Sequence, residues 1–145
     1  MNDIAPPALA HLATLDIEVE LLRSLAGTPL GDRMIFGVRG GRFSGPRLRG
    51  SLHGSHGGGW GGDCVTRTAG GSLLDVRLLL ETNDGVPLQL RYQGRGSQRD
   101  GQPHVEIGGA FDAPQGPYHW LNDILVFGLG TRTAAGVRYE LFHFA

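Results

Sequence analysis

Asp63 closes a glycine-rich segment, Gly54 to Gly62 (GSHGGGWGG), and Arg77 follows in the next apolar run. A carboxylate at a cavity mouth loses hydration, which raises its pKa toward that of a working general base. An arginine carried on a strand offers a rigid, permanently charged fork for a carboxylate, enolate or oxyanion. The plainer account has Asp63 capping a turn and Arg77 pairing on the surface with Asp75 or Glu81. Residue types alone favour that account, because exposed ion pairs are common and cheap.

Around these two sit residues suited to holding a ligand. Trp60, inside the glycine-rich segment, supplies a flat apolar contact on a loop that glycine makes mobile, as a lid over a cavity mouth would need. The competing account is a plain hairpin connection. Tyr118-His119-Trp120-Leu121-Asn122 gathers polar-tipped rings and an amide, a composition that fits either a ligand wall or a strand-entry corner. Arg47, Arg49 and His53 alternate with Leu48, Gly50 and Leu52, so the polar set shares one side of that segment. Arg47 is read as a ligand contact, and His53 and His56 as histidines that are solvent-exposed or touch the ligand. Tyr92 continues the apolar row Val86, Leu88, Leu90 and carries a phenol into it.

Several chemistries are disfavoured by what is missing. His53-x-x-His56 with Asp63 nearby lacks an obvious third metal ligand, so no metal is expected. The glycine-rich segment lacks the Gly-Lys-Ser/Thr ending of a phosphate-binding loop, and Gly128-x-Gly130 lacks the third glycine and the following helix of a dinucleotide fingerprint. No organic cofactor is expected. There is no Gly-x-Ser-x-Gly elbow, and Cys64 has no histidine at a motif spacing.

The elements that must position these residues read as strands. Leu15, Ile17, Val19 and Leu21 alternate with polar residues, as do Met34, Phe36 and Val38. Leu73 to Thr82 is the strongest strand, with Leu74, Val76, Leu78 and Leu80 on one side and Asp75, Arg77, Leu79 and Glu81 on the other. Asn83-Asp84-Gly85 before Val86 to Tyr92 is a hairpin signal. Further strands are expected at 104–111, 121–129 and 137–144. Leu21 to Ala26 has room for a helical turn, but no long amphipathic helix separates the strands, which argues against a parallel βαβ fold. The fold expected is all-β: one antiparallel up-and-down barrel of about eight or nine strands, with a sandwich as the alternative. The domain spans 12–145, after an arm over 1–11 in which Pro6-Pro7 discourages helix.

Composition narrows the partners. The 145 residues suit one domain, and 13 basic against 14 acidic residues argue against nucleic acid, whose phosphates need a basic surface. One cysteine allows no internal disulfide. Met1 to Ala10 lacks the basic and apolar regions of a signal peptide, and no run reaches membrane-spanning length. A cytoplasmic protein away from the membrane is expected. The 25 glycines fall between apolar runs without a fixed period, where turns and barrel corners use them.

The run Gly40-Gly41-Arg42-Phe43-Ser44-Gly45-Pro46-Arg47-Leu48-Arg49-Gly50 resembles the signature of a bacterial and fungal family, domain of unknown function 3237 (uncharacterised protein family 0311). The resemblance continues through Gly62-Asp63, Asp75-Val76-Arg77, Leu80, Asp84-Gly85 and Tyr92-x-Gly94. It ends on Tyr118-x-Trp120-Leu121-Asn122, Gly128-x-Gly130 and Tyr139, and so covers the chain from about Leu12 onward. It implies a small β-barrel, often dimeric, without an established general activity. It also implies that Asp63, Arg77, Tyr92, Trp120 and Asn122 share a cavity. Two departures stand out: Cys64 replaces the usual Trp, and the segment from His53 to Gly62 is longer and richer in glycine than the family pattern. Trp60 is the ring available to take over.

Together these readings predict a cofactor-independent enzyme that moves protons on a small organic molecule, of isomerase, cyclase or lyase/hydratase type. Asp63 would be the base or acid, and Arg77 with Tyr92 would stabilise developing negative charge. The alternative is a non-catalytic carrier of a small hydrophobic ligand, lipocalin-like in use. A homodimer is expected, because the strands from Leu73 and from Leu121 carry apolar residues on both faces.

Overall fold

The computed structural model describes residues 3–54, 62–68 and 70–145, with 62–64 described by their backbone. It contains nine strands: β1 (Leu9–Thr28), β2 (Gly31–Ser44), β3 (Arg49–Leu52), β4 (Gly62–Thr68), β5 (Gly71–Thr82), β6 (Pro87–Arg99), β7 (Gln102–Asp112), β8 (Val126–Arg132) and β9 (Gly136–Phe144). One 3-10 turn, His119–Asp123, precedes β8, and the described residues contain no α-helix. Every strand pairing is antiparallel. β9 pairs back onto β1, so the meander closes on itself as an up-and-down barrel.

β3 and β4 share one position in the wall. Both lie between β2 and β5: β3 pairs Leu52 with Leu80, and β4 pairs Gly62 with Arg77. One end of the barrel carries the 3-10 turn and the loops 45–48 and 83–86, and is called here the helix end. The other carries the turns 29–30, 100–101 and 133–135 together with Gly70, and is called the hairpin end.

Period two decides which side chains enter the barrel. Val76, Leu78, Leu80, Leu88 and Leu90 are each 1% exposed, and the residues between them face out. Each buried leucine contributes about 1.5–3 kcal/mol. Burial is graded along the axis. Leu15, Leu48, Leu121 and Leu141 close the helix end, whereas Val19, Met34, Phe36, Leu74 and Val105 toward the hairpin end are half-buried. The β5–β6 hairpin turns where Asp84-Gly85 predicts it: Gly85 sits at φ 85°, and its amide donates to the Thr82 carbonyl at 2.9 Å.

Three expectations are corrected. Residues 9–11, expected in a loose arm, pair with Phe144, His143 and Phe142, because the closing strand needs a partner along its whole length. Leu21 to Ala26, offered as a helical turn, continues β1 in its ladder with β2. The strand expected at 121–129 begins only at Val126, since residues 119–123 form the 3-10 turn that crosses the helix end.

Candidate functional site

The register lines up one row of residues across the barrel wall. Phe36 of β2 pairs with Asp63 of β4, Asp63 with Val76 of β5, Val76 with Tyr92 of β6, and Tyr92 with Gly109 of β7. Neighbouring strands lie about 5 Å apart, so Asp63 and Tyr92 hold backbone positions roughly 10 Å apart on the two strands that flank β5. Val76 and Tyr92 are interior, at 1% and 3% exposure.

Tyr92 meets Tyr139 of β9 edge to face, with ring centroids 5.4 Å apart and planes at 68°. Glycine sits beside both tyrosines. A Cβ on Gly109 would run into the Arg91 carbonyl oxygen and the Tyr92 backbone across the ladder, and one on Gly130 would stand 2.5 Å from the Tyr139 ring. The two tyrosines thus cross the middle of the barrel against bare backbone. Helixward of Tyr92 in β6 come Leu90 and Leu88, both fully buried; beyond it toward the hairpin end come Gly94 and Gly96, half-buried and without side chains. The tyrosines are therefore flanked by fully buried leucines on one side and by small or half-buried residues on the other. Tyr139 is absent from the site predicted from sequence. Its alternation with Val137 and Leu141 is the signal that marks it as interior.

The other expected site residues lie elsewhere. Arg77 is exposed on the outer face, opposite Arg91, because Val76 and Leu78 on either side of it face in. It does not share the interior with Tyr92. His53 is also exposed and sits 3.1 Å from a Glu81 carboxylate oxygen. His56 and Trp60 lie outside the described residues. The described residues contain no group of three or more His, Cys, Asp or Glu that could hold a metal ion.

Arg47, Tyr118, Trp120 and Asn122 gather at the helix end. The Arg47 guanidinium lies 3.7 Å above the centre of the Trp120 ring, a cation–π contact. Asn122 clamps the backbone of Ala113: its amide nitrogen donates to the Ala113 carbonyl at 2.9 Å, and its oxygen accepts from the Ala113 amide at 2.8 Å. The Tyr118 hydroxyl donates to Asp84 at 2.7 Å. Hydrogen bonds from Thr82 first and Tyr118 second hold the Asp84 carboxyl below its ordinary value, and the bond to Asp84 pushes the Tyr118 phenol up. These contacts tie the 113–125 connection to the β5–β6 hairpin, which is the strand-entry corner the sequence offered as the second account. The shared cavity implied for Asp63, Arg77, Tyr92, Trp120 and Asn122 is thus corrected: only Asp63 and Tyr92 occupy one row.

No helix among the described residues is long and apolar enough to cross a membrane. The whole chain is similar to the whole of a β-barrel-like protein from Acinetobacter baumannii, at 24% identity and a TM-score of 0.84. It is similar to a protein of unknown function from Rhodopseudomonas palustris at 17% identity and a TM-score of 0.86, over 98% of this chain and 100% of the other. An enzyme from Penicillium herquei matches at 20% identity and a TM-score of 0.78, over 100% of this chain and 99% of the other. At these identities the likeness is one of fold. No curated protein matches the chain. The family model for proteins of unknown function, DUF3237, matches residues 7–144, and the chain belongs to that family.

Proposed function

We propose that the barrel binds a small organic molecule beside Tyr92 and Tyr139, entering from the hairpin end, and that Asp63 moves a proton on it without a cofactor. The observation that carries this reading is the row Asp63–Val76–Tyr92: the chain's candidate carboxylate holds a register position next to an interior residue and one strand removed from a buried phenol. A carboxylate and a phenol flanking an apolar chamber are the pair that proton transfer uses, one to take the proton and the other to hold charge as it develops. Low polarity in such a chamber strengthens both effects. Of the two residues expected to stabilise that charge, Tyr92 keeps the role alone, since Arg77 faces solvent. The likeness in fold to an enzyme from Penicillium herquei supports a catalytic reading. Isomerisation, cyclisation and addition–elimination are the reaction types this pair serves.

A thermal-shift screen of small ketones, carboxylic acids and lactones identifies a ligand, and turnover of that ligand is then compared among variants. Asp63→Asn should still bind and should lose about a hundredfold or more in turnover, the scale for a missing general base. Tyr92→Phe should lose turnover with little change in binding. Asp63→Asn with undiminished turnover would remove the catalytic assignment. Ligand binding with no turnover in any form, and affinity tracking Tyr92 and Tyr139, would make the barrel a carrier.

A further inference from the structure

Arg67 stands on the inward-facing side of β4, at the hairpin end. Directly paired residues share a face of the sheet. The pairs run from Arg67 to Ser72, Ser72 to Gly96, Gly96 to Val105, Val105 to Gly130 and Gly130 to Tyr139. That row ends on a wholly buried ring. Alternation along β4 agrees. Asp63 and Val65 pair with Val76 and Leu74 of the interior face, and Arg67 continues their side of the strand. Thr66 faces the other way and pairs with Arg33 and Leu73.

The Arg67 side chain is exposed and makes no ion pair among the described residues. The carboxylate opposite it in the β2–β4 ladder, Asp32, accepts instead from the Gly27 amide at 2.8 Å. A surface pair with Asp32 is the competing account. Beside Arg67 the Ser72 hydroxyl leans over bare backbone: a Cβ on Gly96 would stand 2.5 Å from the Ser72 Oγ. A guanidinium and a hydroxyl on one face supply the donors that a carboxylate accepts from. Between this row and the row of Asp63 and Tyr92 lie Val65, Leu74 and Gly94, which carry no charge. Arg67 is four residues along β4 from Asp63, about 13 Å of strand. An anionic group held at Arg67 is therefore well removed from a carbon beside Asp63.

We infer that Arg67, with Ser72, holds the carboxylate of the molecule that enters the barrel. That molecule is an organic acid: an apolar body whose carboxylate is a handle remote from the reacting carbon. The inference rests on the chamber beside Tyr92 and Tyr139 being the ligand site, entered from the hairpin end. Arginine suits the role because its planar fork stays charged and matches a carboxylate with two parallel hydrogen bonds.

The probes are phenylpropanoate and phenylpentanoate, each with its primary amide, titrated into isotope-labelled protein and followed by backbone amide NMR. The acids should bind about tenfold tighter than their amides and weaken as salt is added. They should shift the amides of Ser72, Val105 and Tyr92. Arg67→Gln should weaken the acids about tenfold and leave the amides unchanged. Arg95→Gln removes an equal charge from the outer face of β6, where Arg95 is exposed opposite Leu73, and should do neither. Acids that bind no tighter than their amides, or that tolerate Arg67→Gln, would overturn the assignment and leave the chamber reading standing. So would a loss at Arg132→Gln with none at Arg67→Gln, since Arg132 lies two residues past Gly130 on the inward side of β8. Shifts confined to Ser72 and its neighbours, with Tyr92 and Gly109 unmoved, would sink the chamber reading and this inference with it. If none of the four probes binds, the inference fails as well.

Discussion

Among single residues, the position of a polar side chain in the barrel decides what it can do. Asp84, Tyr118 and Thr82 form a small network on the surface of the helix end, and its pH behaviour follows from its bonds. The folded Asp84 carboxyl titrates below its ordinary value, so its contribution is present above that value and lost as pH falls through the lowered one. The Tyr118 phenol titrates above its ordinary value, so its contribution is present below that value and lost as pH rises through the raised one. The link is intact between these limits. Thr82 is the larger cause at Asp84, so Tyr118→Phe should move the Asp84 midpoint only part of the way back up. Carbon-detected NMR titration of the carboxyl group reads this directly. A midpoint unchanged by Tyr118→Phe would mean that the 2.7 Å bond is not formed in solution.

At the level of elements, alternation along β5 and β6 sets the character of the site. Val76 faces in, so Arg77 faces out; Arg91 faces out, so Tyr92 faces in. Arg77→Ala should therefore leave stability within about 0.5 kcal/mol, as surface changes usually do, and leave turnover of any identified ligand unchanged. Gly130→Ala is the contrasting change in β8. Its new methyl would stand 2.5 Å from the Tyr139 ring, which is wholly buried. Overpacking of this kind costs about 1–3 kcal/mol, so urea unfolding should show a lower midpoint with an unchanged slope. An unaltered midpoint would show that Tyr139 is free to move aside.

For the whole molecule, closure is the costly step. β1 and β9 lie at opposite ends of the chain, and their ladder pairs Leu9 with Phe144 and Ile17 with Val137. Such non-local pairing must be reached before it is rewarded, so folding should fall in the slow millisecond-to-second range of β-rich domains rather than the microseconds of helical bundles. Stopped-flow refolding from urea measures this. A microsecond phase carrying the full amplitude would mean that local hairpins, not closure, limit the rate. Among the described residues closure also leaves the upper part of β1 paired with β2 alone, because β9 starts at Gly136 and its ladder reaches only as far as Glu18.

How much of this was legible in the sequence divides along physical lines. Period-two alternation over Leu74–Leu80 and Leu88–Tyr92 is a local property, and it announced strands, an interior face and a hairpin at Asp84-Gly85 without knowledge of any neighbour. The order of glycine and aromatic blocks from Gly40 to Tyr139 likewise pointed to the family. Alternation is silent, however, on which residues of different strands meet, since a register is a relation between segments. Tertiary structure alone separated Tyr92, in the middle of the barrel, from Trp120 and Asn122 at its helix end, and placed Arg77 outside. It alone brought Tyr139 against Tyr92 from 47 residues away in sequence. Faces follow from spacing along one strand; a site follows from the registers between strands, and those are settled only when the barrel closes.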